Sequence, residues 1–130
     1  MSTPQTSSFR PRVLVVEDEF LIRMTLVEAL EDDGFECVEV DSADAALPIL
    51  QNDPSIKLLL TDIKLPGTLD GRALAERARA QLPRLPIVFM TGQPDPADEP
   101  SALQLYISKP YTLADVCTAA KRLTAAATAA

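Results

Sequence analysis

Three apolar runs in this chain end in residues that can do chemistry. Arg12 to Val16 leads into Glu17, Asp18 and Glu19; Lys57 to Thr61 leads into Asp62; Pro86 to Met90 leads into Thr91 and Gly92. A shorter run, Leu105 to Ser108, is followed by Lys109 and Pro110. Gathered in one place, these put two or three carboxylates, a hydroxyl and an ammonium into one shallow pocket. Crowded carboxylates repel one another unless a counter-charge intervenes. A hard divalent cation with oxygen ligands is the natural remedy. Magnesium fits best, because it takes few carboxylates and keeps waters that a phosphate can replace. Lys109 adds a second positive charge and Thr91 a neutral donor. A nucleophile, a metal and donors for equatorial oxygens are the parts that phosphoryl transfer needs. Asp62 is the best nucleophile of the set, since a carboxylate can form an acyl phosphate. Taken alone, Glu17, Asp18 and Asp62 read as solvated loop acids and Lys109 as a surface lysine. The company of Thr91 and Lys109 turns the reading towards a site.

The elements that must position these residues alternate in type. Arg12 to Glu17, Glu36 to Val40, Lys57 to Asp62, Pro86 to Thr91 and Leu105 to Ser108 read as strands. Phe20 to Asp33, Ser42 to Asn52, Gly71 to Leu82 and Thr112 to about residue 126 read as helices, with Gly34 as a stop signal and Asp41 or Ser42 as a cap. Pro48 is expected to kink or shorten the second helix. Strands alternating with helices predict right-handed crossovers and a parallel sheet covered on both faces, a doubly wound α/β domain. Ligands bind such sheets beyond the carboxyl ends of the strands, where the strand order reverses. All the chemistry-bearing residues above lie at those ends.

Composition sets the outer bounds. The 130 residues suit one domain, with 47% hydrophobic and 24% charged residues. The expected organisation is a flexible tail over 1–10, one domain over 11–126 and an Ala-rich end over 127–130. A net charge of −7 disfavours nucleic acid and anionic membrane surfaces as partners. No apolar stretch is long enough for a membrane span, and the N-terminus lacks a signal-peptide pattern. With no histidine, His-based triads and His-ligated metals are excluded. Cys37 and Cys117 match no metal or redox spacing and read as small buried residues in a reducing cytoplasm.

Five pieces of the chain together resemble the receiver domain of two-component response regulators. They are Val13 to Glu19, Leu59 to Gly67, Asp70-Gly71, Phe89 to Gly92 and Tyr106 to Pro110, in order along the chain. The resemblance implies a flavodoxin-like, five-stranded parallel sheet in the order 2-1-3-4-5. It implies that Asp62 accepts a phosphoryl group from a sensor histidine kinase or histidine phosphotransfer protein. Mg2+ would be held by Asp18 and Asp62, by Glu17 directly or through water, and by the backbone carbonyl of Lys64. Thr91 and Lys109 would bind the phosphoryl oxygens. Pro110 would follow a cis peptide that aims Lys109 into the pocket. Tyr106 matches an aromatic that turns when Thr91 moves inward, reshaping an interaction surface. The resemblance also implies a cytoplasmic, bacterial phosphoprotein that catalyses its own phosphorylation and dephosphorylation and is otherwise no enzyme. Its downstream target, and any role as a phosphate sink or shuttle in a phosphorelay, stay open.

Two departures from the family pattern stand out. Seven residues rather than six separate Asp62 from Asp70. Between Thr91 and Tyr106 only 14 residues intervene, and Gln93 to Pro100 holds three prolines and three acids. The helix that the family places there, its fourth, is therefore expected to be short, displaced or absent. The Thr-Gly pair after the fourth strand resembles an atypical receiver subgroup, which implies signalling by ordering a loop; the alternative is an inert, shortened loop.

In the first helix, Ile22, Leu26, Ala29 and Leu30 are expected to face the sheet. Phe20, Met24 and Val27 form a second stripe that either docks a kinase or phosphotransfer protein, beside Pro110, or packs on a neighbouring helix. Three rival functions are weaker. A haloacid-dehalogenase-type phosphatase needs an aspartate where Lys64 stands. A nucleotide-binding domain needs a glycine-rich loop that is missing. A pseudo-receiver that never takes phosphate would not need the full set Glu17, Asp18, Asp62, Thr91 and Lys109.

Overall fold

The computed structural model describes residues 10–129. Five strands, β1 (Arg12–Val16), β2 (Glu36–Val40), β3 (Ile56–Asp62), β4 (Ile87–Thr91) and β5 (Gln104–Ser108), alternate with α1 (Phe20–Asp32), α2 (Ala43–Asn52), α3 (Gly71–Gln81) and α4 (Leu113–Ala129). The strands pair in parallel in the order β2-β1-β3-β4-β5. This is the doubly wound, flavodoxin-like order expected from the sequence. The order reverses between β1 and β3, so a crevice opens where their carboxyl ends part.

The period-two rule explains how one strand serves two cores. Val13 and Val15 of β1 join Leu58 and Leu60 on the face covered by α1 and α4, through Leu26, Leu30, Val116 and Leu123. Leu14 and Val16 join Leu59 and Ile87 on the face covered by α2 and α3, through Leu50, Leu74 and Ala78. Such two-sided burial, with 0% exposure along Val13–Val16 and Leu58–Leu60, is why these runs are uninterrupted by polar residues.

Helix ends follow side-chain chemistry. Ser42 caps α2 by accepting from Ala45 N at 3.1 Å, and Asp70 caps α3 by accepting from Ala73 N at 2.8 Å. Pro48 lies inside α2 but does not end it. It stands on an exposed side of the helix, and its carbonyl accepts from the Asn52 side chain at 2.7 Å. Between β4 and β5 the chain makes turns and one isolated bridge, Ser101 with Gln104, and no helix. The fourth helix in chain order, α4, is full-length and follows β5. The expected tail over 1–10 lies, apart from Arg10, outside the described residues; of the Ala-rich end, residues 127–129 continue α4. Among the described residues no helix is long and apolar enough to cross a membrane.

Candidate functional site

Four strand ends meet beside the crevice. Glu17 and Asp18 directly follow β1, Asp62 ends β3, Thr91 ends β4, and Lys109 directly follows β5. Backbone bonds fix these termini to one another: Glu17 N donates to Val40 O at 3.2 Å, Ile63 N to Met90 O at 3.0 Å and Lys109 N to Thr91 O at 2.8 Å. The Lys109–Pro110 peptide is cis.

The carboxylates of Glu17, Asp18 and Asp62 each offer an oxygen within 4.8 Å of the others. Asp62 is 4% exposed and Glu17 1%, while Asp18 faces solvent. The Lys109 ammonium donates to both Asp62 oxygens, at 2.9 and 2.8 Å. One positive charge thus serves three negative ones, and two of those three are desolvated. The pocket in front has a volume of about 480 Å3, and Asp62, Lys64, Asp70, Arg72, Thr91 and Lys109 line it.

Glu17 shows the strain of this arrangement most clearly. Its Oε2 accepts from Glu19 N at 2.9 Å, but its Oε1 is buried with no hydrogen-bond partner. Burial, aided by the charge of Asp62 and opposed by the Glu19 N–H, pushes its pKa up to about 7. A buried carboxylate oxygen without a donor, close to two more carboxylates, fits a hard divalent cation with oxygen ligands. The donor set holds neither sulfur nor imidazole. Glu17, Asp18 and Asp62 would hold such a cation, and Lys64, whose carbonyl the resemblance adds as a ligand, lines the same pocket.

A pH effect follows, and its sign is fixed. Below the ordinary carboxylate pKa of 4.5 Glu17 is protonated folded and unfolded, and it costs nothing. From there up to about 7 the unfolded chain ionises while the folded one resists, so stability falls as pH rises. A Glu17→Gln chain, in EDTA, is expected to gain on the order of 1–2 kcal/mol over the parent at about pH 8 and almost nothing at about pH 5. Urea unfolding at both pH values checks this; an equal effect at both would contradict it.

Thr91 is buried, and its Oγ1 accepts from Gln93 N at 3.0 Å, which leaves the hydroxyl proton to donate. Tyr106 is half-buried, its ring stacked on Phe89 at 4.9 Å between centroids, its hydroxyl accepting from Gln104 Nε2 at 2.7 Å. The structure therefore places Tyr106 against Phe89 of β4, lining a groove with Arg79 and Gln104 rather than the pocket of Asp62. In α1, Phe20, Leu21 and Met24 are exposed, and Arg23 stacks over Phe20 at 5.6 Å. Val27, expected to share that outer stripe, instead is half-buried against the core formed with α4. The stripe at i, i+4, i+7 drifts round the helix, so its last member meets the core. Pro110 is exposed beside Lys109, and Leu113 is exposed at the start of α4.

Three residues carry the site without having been singled out by type and spacing. Gly71 opens α3 so close to β3 that an added Cβ would lie 2.1 Å from the Asp62 carbonyl oxygen. Asp44 of α2 clamps the loop after Asp62, accepting from Thr68 N at 3.1 Å and Thr68 Oγ1 at 2.6 Å, next to Gly67 at φ 100°. Arg72 ties α3 to Asp98 in the segment before β5. An acidic residue in a helix or an arginine after a glycine has no local pattern to flag it. Asp44 and Arg72 gain their roles from partners more than twenty residues away, and Gly71 gains its role from the end of β3.

A doubly wound sheet whose switch point holds buried carboxylates neutralised by one lysine has the build of a signalling receiver. Known proteins agree. The family model of the response regulator receiver domain matches residues 13–121. The response regulator receiver protein CpdR of Brucella abortus is 38% identical over 122 residues, covering 89% of this chain and 98% of CpdR. The response regulator protein FleR of Pseudomonas aeruginosa is 41% identical over 80 residues, 62% of this chain but 16% of FleR. A CheY-like receiver domain protein from Methanospirillum hungatei superposes with a TM-score of 0.81 at 26% identity, over 93% of this chain and 98% of that one. The chain belongs to the response regulator receiver domain family.

Proposed function

We propose that Asp62 accepts a phosphoryl group from a phosphohistidine of a sensor histidine kinase or histidine phosphotransfer protein, and that this switches a protein-interaction surface. The observation that carries the reading is the buried Asp62 carboxylate, gripped through both oxygens by Lys109 and flanked by Glu17 and Asp18. In the transfer an Asp62 oxygen attacks phosphorus; the new P–O bond forms as the P–N bond breaks, and its electron pair stays on the imidazole nitrogen. Mg2+ would be held by Glu17, Asp18, Asp62 and the Lys64 carbonyl and would supply positive charge for the carboxylates and the phosphoryl oxygens. Lys109 holds Asp62 in place beforehand. Once Asp62 carries the acyl phosphate, the same ammonium is free to pair with a phosphoryl oxygen. The Thr91 hydroxyl donates to another, and its inward movement leaves room into which Tyr106 can turn.

Docking of the donor is assigned to the exposed apolar patch of Phe20, Leu21 and Met24 on α1, with the exposed Pro110 as a further contact. This reading places the chain in the cytoplasm, with no reaction of its own beyond gaining and losing the phosphoryl group. Incubation with Mg2+ and acetyl phosphate, followed by intact-mass measurement, tests it. One added phosphoryl group that is not acquired in EDTA is the expected result. A folded chain that gains no mass would sink the reading.

A further inference from the structure

The segment joining β4 to β5 has no helix to hold it, and its long-range anchor is one ion pair. Arg72, in the first turn of α3, grips Asp98 with two nitrogens: Nη2 lies 2.9 Å from Oδ2, and Nη1 contacts Oδ1. Asp98 in turn organises its own loop. It accepts from Asp95 N at 3.3 Å, and its own N–H donates to Asp95 O at 2.8 Å. Past Asp98, the next ties are the bridge at Ser101 and those at Leu103 O, which accepts from Ile87 N of β4 at 2.9 Å and from Arg79 at 3.4 Å. The Asp98 side chain is only 7% exposed, whereas that of Arg72 is 40% exposed. Arg72 has a second aspect, because it lines the same pocket as Asp62, Thr91 and Lys109.

We propose that Arg72 is a phosphoryl-binding residue as well as the anchor of this loop, so that a phosphoryl group on Asp62 draws its guanidinium off Asp98 and releases residues 93–100. The inference rests on Asp62 being the phosphoacceptor. Lys109, Thr91 and the cation each engage a phosphoryl oxygen, and every such oxygen keeps further lone pairs; of the two other cationic side chains lining the pocket, Lys64 and Arg72, Arg72 has the planar fork that matches a pair of phosphoryl oxygens. A phosphoryl group carries about two negative charges against one on Asp98, so the guanidinium gains by the exchange. A pair whose arginine is this exposed is screened by water and worth little to break. Asp98 has the opposite problem. Left without Arg72 it keeps the 3.3 Å bond from Asp95 N but loses the guanidinium's charge, so it turns out to water and takes the loop with it. The groove on the other side of Arg72, of about 580 Å3 and lined by Phe89, Arg79 and Tyr106, then loses its neighbour. Release of the loop thereby reshapes the surface next to Tyr106.

Hydrogen–deuterium exchange of residues 93–103, with and without Mg2+ and acetyl phosphate, together with intact mass, tests this on three chains. In the parent, exchange in the segment is expected to rise several-fold on phosphorylation. Asp98→Asn is expected to show the raised exchange before phosphorylation, with little added by it, and to reach the parent's level of phosphoryl adduct. Arg72→Ala is expected to show the same raised exchange and a several-fold lower adduct level at a given acetyl phosphate concentration, which a merely structural anchor would not produce. Adduct formation in the parent with unchanged exchange would overturn the latch alone, as would Arg72→Ala with the parent's adduct level. Failure of the parent to form any adduct would remove the phosphoacceptor reading and the latch together.

Discussion

An Asp62→Asn chain is expected to gain no phosphoryl group from acetyl phosphate and Mg2+, while folding as stably as its parent. The first half is chemical. An amide oxygen is a poor nucleophile for phosphorus, and no neighbouring group replaces it. Asp18 faces solvent, and Glu17 is buried with its Oε2 held by the Glu19 N–H. The second half is electrostatic. Asp62 donates nothing and accepts two bonds from Lys109, one of which an asparagine oxygen can still accept. The attraction of Lys109 is weakened, but so is the repulsion from Glu17 and Asp18 within the 4.8 Å cluster. The Lys109 side chain keeps a third of its surface in water, which further limits the loss. The two changes oppose each other, and the net effect is expected within about 1 kcal/mol. Intact mass and a urea unfolding curve on the same preparation read both halves. Retained phosphorylation would put the acceptor elsewhere in the cluster. Loss of the fold would mean that Asp62 is held for stability before chemistry.

The parts of this protein that were legible in its sequence are those where one residue type answers one local demand. The valines and leucines of β1 and β3 are unbroken because both faces of those strands are covered, and no other arrangement suits such runs in a chain of this length. Glu17, Asp18, Asp62, Thr91 and Lys109 could be named because a parallel sheet brings all carboxyl ends to one edge. That step needs the alternation of elements and nothing finer. The proline-rich stretch after Thr91 announced its lack of helix in the same local way. What stayed hidden depends on distances between elements. Val27 sits at a helical spacing from Met24, yet packs inward on the side of α1 that faces β2, where its carbonyl lies 3.9 Å from Cys37 Sγ. The unpartnered Oε1 of Glu17 needs its full three-dimensional surroundings to be seen as a desolvated group rather than a loop acid. Arg72 and Asp98 are an unremarkable arginine and one acid among several until α3 and the loop before β5 are placed together. Pro48 misled for the converse reason. A proline in a helical pattern weakens it locally, but α2 is held by Ala43, Ala46 and Leu50 against the sheet, and packing outweighs the lost bond.

Gly71→Ala is expected to be the most damaging small substitution in the chain. The reason is space rather than backbone freedom, since the φ of Gly71 is not positive. Its N–H donates to Ile63 O at 2.8 Å, which draws the first turn of α3 against the end of β3. A methyl group there would sit 2.1 Å from the Asp62 carbonyl oxygen, 2.9 Å from Ile63 Cα and 3.0 Å from the Asp62 carbonyl carbon. Ordinary carbon–oxygen contacts begin at roughly 3.3 Å, so backbone must move by about 1 Å. No side chain can swing aside to absorb this, because all three atoms belong to the main chain. Either α3 lifts from the sheet, opening the contacts of Leu74 and Ala78 with the core, or β3 bends and carries Asp62 away from Lys109. Overpacking of this kind costs about 3 kcal/mol. A displacement of about 1 Å at the nucleophile lowers its reactivity by roughly tenfold to 100-fold. Gly92 provides the comparison: it borders the same pocket, but an added Cβ meets nothing within 4 Å. Gly92→Ala should therefore keep its stability within about 0.5 kcal/mol of the parent. Urea unfolding and the acetyl phosphate adduct, measured side by side for the two alanines, decide the matter. Equal behaviour would mean that the contact between α3 and β3 is looser than 2.1 Å implies. A large deficit confined to Gly71→Ala would show that the nucleophile is aimed from behind, by a helix start that only glycine lets come so near.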